Sequence, residues 1–137
     1  MKSNGMKNIL AMVCACGVLL APPASATPES DTLLQKYRAE GAGKADPAKA
    51  QQDWTREVLV NGEKMSCSTC HGSDFSKEGK HHVTGKTIGP MSQRVNPERF
   101  TSVKKMEKWF KRNCLDAWGR ECTAQEKTDF LTFLLAQ

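Results

Sequence analysis

The sequence predicts an all-α fold. Apolar residues recur at steps of three and four in its longest ordered stretch, several segments begin with helix-start chemistry, and no sustained alternation of apolar and polar residues marks a strand. No internal repeat is present. Before the helices comes a leader. Lys2 and Lys7 precede an apolar run from Ile9 to Leu20, and Ala24-Ser25-Ala26 offers the small residues at which a signal peptidase cuts. The run is short for a membrane span. The expected organisation is therefore a signal peptide over residues 1–26, exported by a Sec-type route to the periplasm, followed by one domain over residues 27–137.

The first helix is expected from Glu29 to Ala39, with Leu33, Leu34 and Tyr37 inward and Gly41 and Gly43 ending it. A second is expected from Pro47, suited to the first helical position, to about Val60, with Asn61-Gly62 as its stop and Trp54, Val58 and Leu59 as its apolar stripe. Residues 62–100 carry several Gly, Pro and polar residues without periodicity. So long a segment in a small domain is expected to wrap around something. Thr101 or Ser102 caps a third helix from Val103 to about Ala117, whose buried face is Val103, Met106, Trp109, Phe110 and Cys114. The last helix begins at Thr123, where Thr-Ala-Gln-Glu forms a capping box, and packs through Phe130, Leu131, Phe133, Leu134 and Leu135.

The net charge of +5 falls to +3 once Lys2 and Lys7 are removed, and acidic residues interleave with the basic ones. That balance excludes a nucleic-acid partner and leaves room for one docking patch, for which Lys104, Lys105 and Lys108 are the candidates.

Cys67-Ser68-Thr69-Cys70-His71 carries the chemistry. Two thiols at this spacing can each add to one vinyl group of a single porphyrin, while the adjacent imidazole is delivered to the iron. One such motif predicts one covalently bound haem c, with Cys67 and Cys70 as attachment points and His71 as proximal ligand. A redox dithiol would require an α/β context, and a zinc site would require further ligands such as Cys114 and Cys122.

The ligand on the other face of the iron decides between electron carrier and ligand binder. Met65, Met91, Met106, His81, His82 and Asn113 are candidates. Met91 follows Gly89-Pro90 in a loop able to lie over the haem. Asn113 stands about 20° from Met106 and about 60° from Phe110 around the helix, on the apolar face. An asparagine there can equally satisfy the carbonyls of a helix end. Cys114 and Cys122 flank a turn at Gly119 and are close enough in sequence to be a stapled pair.

Beyond the haem motif the chain resembles the SHP cytochromes, the sphaeroides haem protein type of high-spin cytochrome c. The shared residues are Thr84-Gly-Lys86, Ile88 and Pro90, Asn96-Pro-Glu-Arg-Phe100, Glu107-Lys-Trp-Phe-Lys-Arg-Asn-Cys114, Gly119-Arg-Glu-Cys-Thr123 and Gln125-Glu-Lys127. The resemblance implies a small fold similar to class I cytochromes c, Asn113 as the iron ligand opposite His71 in the oxidised state, and a Cys114–Cys122 disulfide beside it. It implies that the asparagine leaves on reduction, so that ferrous iron binds O2, NO or CO. Nitric oxide dioxygenase-type activity is a further implication; whether the chain is an enzyme is left open. A diheme cytochrome c and a membrane cytochrome b are the implied electron donors. The alternative is a simple electron carrier with permanent His71 and Met91 ligation. Arg112 and its basic neighbours are surface or propionate-contact candidates.

Overall fold

A computed structural model describes residues 26–137, so the expected leader falls, but for Ala26, outside the described residues. Five helices carry the fold: α1 (Pro28–Ala39), α2 (Pro47–Trp54), the short α3 (Cys67–His71), α4 (Val103–Trp118) and α5 (Ala124–Leu135). Two small antiparallel hairpins join them, β1 (Val58–Val60) with β2 (Glu63–Met65), and β3 (Gly79–Lys80) with β4 (Thr87–Ile88). The described fold is thus the expected helical one, of class I cytochrome c type, trimmed with four short strands.

Local chemistry sets each helix start. Thr27 caps α1 in a box with Ser30, and the Asp46 side chain accepts from the Lys49 amide to cap α2. Ser102 caps α4, and Thr123 with Glu126 forms the capping box of α5. Gly119, at φ 67°, ends α4 in the left-handed conformation that glycine tolerates.

The second helix ends at Trp54, earlier than the sequence predicts. Val58-Leu59-Val60 is a strand, and Asn61 and Gly62 form the two-residue turn of a hairpin with φ of 51° and 87°. Periodicity cannot separate a short apolar run of this kind from a helical one, and the β-branched residues with Asn-Gly tip it to strand. Leu59, expected on a buried stripe, points to solvent and is 70% exposed.

Helix α5 is the spine. Through Leu131 and Leu135 it packs with Leu33 and Tyr37 of α1 and Met106 of α4. Through Phe130, Phe133 and Leu134 it packs with Ala50 and Trp54 of α2 and with Cys114, Ala117 and Trp118 of α4. Phe100 touches both clusters from an uncommon φ of 59°, and its carbonyl accepts from Thr27 Oγ1 at 2.6 Å. That bend turns the irregular segment into α4, with Arg99 and Phe100 both on the wall of a central cavity.

Candidate haem-binding site

The cavity has a volume of about 540 Å3 and is walled by α3 on one side and α4 on another, closed by Thr84 to Met91 and by Phe130 and Leu134 of α5. A more open surface depression of about 460 Å3, beside Asp74, Phe75 and Arg94, has no thiol or imidazole in its walls.

The turn of α3 places Cys67, Cys70 and His71 in one wall. Ser66 and Thr69 form a capping box at its start. Beside His71 stands Trp54, its ring centroid 5.6 Å from the imidazole and its Nε1–H donating to the Gly72 carbonyl at 2.8 Å. Strand β3 then lies directly against this turn. A Cβ on Gly79 would come within 2.2 Å of the Cys70 carbonyl oxygen, so glycine is required there for space.

Electrostatics separates the competing uses of these residues. Burial pushes the Cys67 thiol up to about 12, far from the activated thiolate of a redox dithiol. No disulfide joins Cys67 to Cys70. Burial first, and then the Arg99 charge, bring His71 down to about 4, which leaves a neutral imidazole with its lone pair available to a metal. Zinc fails on the donor set. Cys114 and Cys122 are joined in a disulfide with Cα atoms 5.6 Å apart, and no group of three metal-ligating side chains occurs among the described residues.

On α4, Asn113 is half-buried and lines the cavity one residue before the disulfide. The bond staples the end of α4 to the start of α5 and fixes the backbone beside Asn113. The other candidates scatter. Met91 is packed with Trp54, Phe130 and Phe133. Met106 belongs to the α1–α5 cluster. Both, with Met65, also touch the cavity. His81 reaches it from the segment following β3, which packs on α3, and its Nδ1 accepts from the Val83 and Thr84 amides at 3.3 Å. His82 is not a wall residue and stands 3.9 Å from Glu63.

Two wall residues are not evident from the sequence. Arg99 is partly buried, bonds the Gly89 carbonyl and donates from Nε to the Pro90 carbonyl at 2.8 Å, and is not ion-paired among the described residues. Trp118 is 6% exposed, and its Nε1–H has no acceptor. An unpaired cation and an unsatisfied donor are costly on the wall of a closed protein and fit a cofactor that brings its own carboxylates. Arg112, the sequence candidate for that contact, lies exposed at the rim with its guanidinium 5.3 Å from the Trp109 ring.

A large apolar cavity with paired cysteines, a neutral imidazole and orphaned donors suits a covalently attached porphyrin and neither zinc nor dithiol exchange. The class is therefore that of the c-type cytochromes. Residues 40–134 match the family described as "Domain of unknown function (DUF1924)". The chain is 37% identical to the cytochrome c-type protein SHP of Cereibacter sphaeroides over 121 residues, which are 87% of this chain and 93% of that protein. It is 39% identical to cytochrome c'' of Methylophilus methylotrophus over 77 residues, 56% of this chain and 54% of the relative. The structure of oxidised SHP, described as an oxygen-binding cytochrome c, superposes with a TM-score of 0.72 at 36% identity, covering 79% of this chain and 96% of that one. Oxidised cytochrome c'' gives 0.69 at 31% identity, covering 80% and 94%. The chain belongs to the SHP/cytochrome c'' family, and with it goes a covalently bound haem c.

Proposed function

We propose that this chain is a periplasmic c-type haem protein that accepts an electron and then binds a diatomic gas, O2 or NO, at a coordination position that Asn113 occupies only in the oxidised state. Bound haem supplies a one-electron iron couple and, when ferrous, affinity for such gases. The residues do the rest. Cys67 and Cys70 would hold the porphyrin as thioethers, and His71 would present its neutral imidazole, against which Trp54 packs. Arg99 and the Trp118 N–H answer the carboxylates. Asn113 offers an amide oxygen, a hard and weak ligand that suits ferric iron and loses its advantage at the softer ferrous ion.

The observation that carries this reading is the position of Asn113, a half-buried polar residue of α4 that lines the same cavity as His71, one residue before a disulfide. The descriptions of the relatives support it: SHP is called an oxygen-binding cytochrome c, and the solution structure of cytochrome c'' is described in terms of haem-ligand detachment. A diheme cytochrome c and a membrane cytochrome b are the proposed electron donors. Nitric oxide dioxygenase-type turnover, in which NO, O2 and one electron give nitrate, is the corresponding proposed activity. Optical spectra before and after dithionite, with and without carbon monoxide, test the reading. Ferrous protein is expected to be high-spin and to bind carbon monoxide at once. A low-spin ferrous state that refuses carbon monoxide would be that of the simple His71 and Met91 electron carrier.

A further inference from the structure

Helix α4 has a second face that gas binding does not use. Lys104, Lys105, Lys108 and Arg112 are exposed, and none is ion-paired among the described residues. The helix's other charges are partly spent: Glu107 is taken by Lys36, and Lys111 by Glu121 at 3.4 Å. Within the cluster stands Trp109, 44% exposed, with the Lys108 ammonium 5.7 Å and the Arg112 guanidinium 5.3 Å from its ring. Lys105, Trp109 and Arg112 follow one another at four and three residues, so they share a stripe, and that stripe is the rim of the cavity.

Exposing an indole costs hydrophobic free energy, and four unpaired cations on one side of the helix, offset there only by the exposed Asp116 at the end of the stripe, add self-repulsion. Both costs are relieved by one kind of contact, an acidic surface that neutralises the cations and covers the ring. Trp and Arg are enriched at the strongest points of protein interfaces, within a polar rim. A lipid surface would be met by a broader apolar face. Of the other large exposed apolar residues, Leu59, Val83 and Val95 lie on other segments, which leaves only Leu115 with Trp109 on α4. We infer that the Lys104, Lys105, Lys108, Trp109 and Arg112 face of α4 is the docking surface for an acidic electron-donor protein, an inference that rests on the proposed redox function. Electrons then enter over the helix that carries Asn113, and the donor covers the cavity rim while it is bound.

The test uses the haem-loaded protein and a reduced plant-type [2Fe–2S] ferredoxin as an acidic protein donor, with haem reduction followed by stopped flow. In 20 mM salt, K104E/K105E/K108E/R112E is expected to lower the bimolecular rate at least ~10-fold, the lower end of steering effects. The wild-type rate should fall steeply toward 200 mM salt, where charges are screened, and the variant's should not. R38E/K44E/K77E/K80E makes the same change in net charge elsewhere and should stay within about 3-fold of wild type by the same steering argument. At 200 mM salt, W109A should still be slower than wild type, which isolates the aromatic contact from the charges. Haem content and far-ultraviolet circular dichroism confirm that each variant is folded. Equal losses in the two four-charge variants, an unchanged rate in the α4 variant, or a W109A rate equal to wild type would overturn the inference. So would binding to phosphatidylglycerol vesicles through these residues with no effect on the ferredoxin rate. Carbon monoxide binding by wild-type ferrous protein reads the gas-binding proposal separately.

Discussion

Gly79 offers a test of whether the attachment turn is held as the structure shows. A Cβ built there stands 2.2 Å from the Cys70 carbonyl oxygen and 3.0 Å from His71 Cα. Carbon and carbonyl oxygen in close but favourable contact are about 3.3–3.6 Å apart. Strand β3 or the α3 turn must therefore retreat by about 1 Å, and both obstacles are backbone. Overpacking costs about 1–3 kcal/mol, and the reduced freedom of the unfolded alanine chain returns about 0.4–1 kcal/mol. With no flexible side chain to yield, Gly79→Ala should destabilise by about 2 kcal/mol. Two other glycines calibrate the series. Gly43→Ala meets only Gln125 Oε1 at 3.4 Å, on a flexible side chain, and should be within about 0.5 kcal/mol of wild type. Gly85→Ala has room but keeps a φ of +65°, and should cost about 1–2 kcal/mol for the left-handed backbone. Urea unfolding of the ferric protein measures all three. A Gly79→Ala cost at or below that of Gly43→Ala would refute the packing of β3 on the attachment turn.

Replacing Cys114 and Cys122 together by serine frees a loop closed over a separation of eight residues and should remove about 2–3 kcal/mol, read as a lower urea midpoint. Arg120 holds the Glu126 carboxylate at about 2, against an ordinary 4.5, through paired hydrogen bonds of 2.8 and 2.7 Å. A depressed carboxylate stabilises the fold fully above about pH 4.5 and loses that contribution as pH falls toward 2. Solvent screening reduces it to about 1 kcal/mol. Glu126→Gln should therefore be less stable than wild type by about that much at pH 7, and the difference should vanish near pH 2; unfolding curves across that range check it.

Much of the site was legible because its chemistry is local. Cys67, Cys70 and His71 are close together in the chain, and Val103 to Trp118 writes most of its buried face at helical steps, although Trp109, expected inward, is 44% exposed. The capping boxes need only four residues each. What was not legible depends on long-range packing. Gly79 has an ordinary backbone and matters only because α3 returns against it. Arg99 and Trp118 carry no local signal of a site, and matter because the fold brings both to the cavity lining. The Val58–Val60 strand was missed because three apolar residues fit either period, and the Asn61-Gly62 turn that decides between them also reads as a helix stop. Asn113 lies between these extremes. Helical phase puts it on the apolar side, but the family resemblance, not periodicity, singles it out as a ligand.

Under the proposed function, Asn113 would ligate the ferric iron and leave it on reduction. Low-temperature electron paramagnetic resonance of the ferric protein, run on wild type, Asn113→Ala and Met91→Ala with covalent haem confirmed in each, tests it most directly. Asn113→Ala alone should change the ferric signal, while Met91→Ala should retain the wild-type signal. An unchanged spectrum in Asn113→Ala, with the change in Met91→Ala instead, would contradict it.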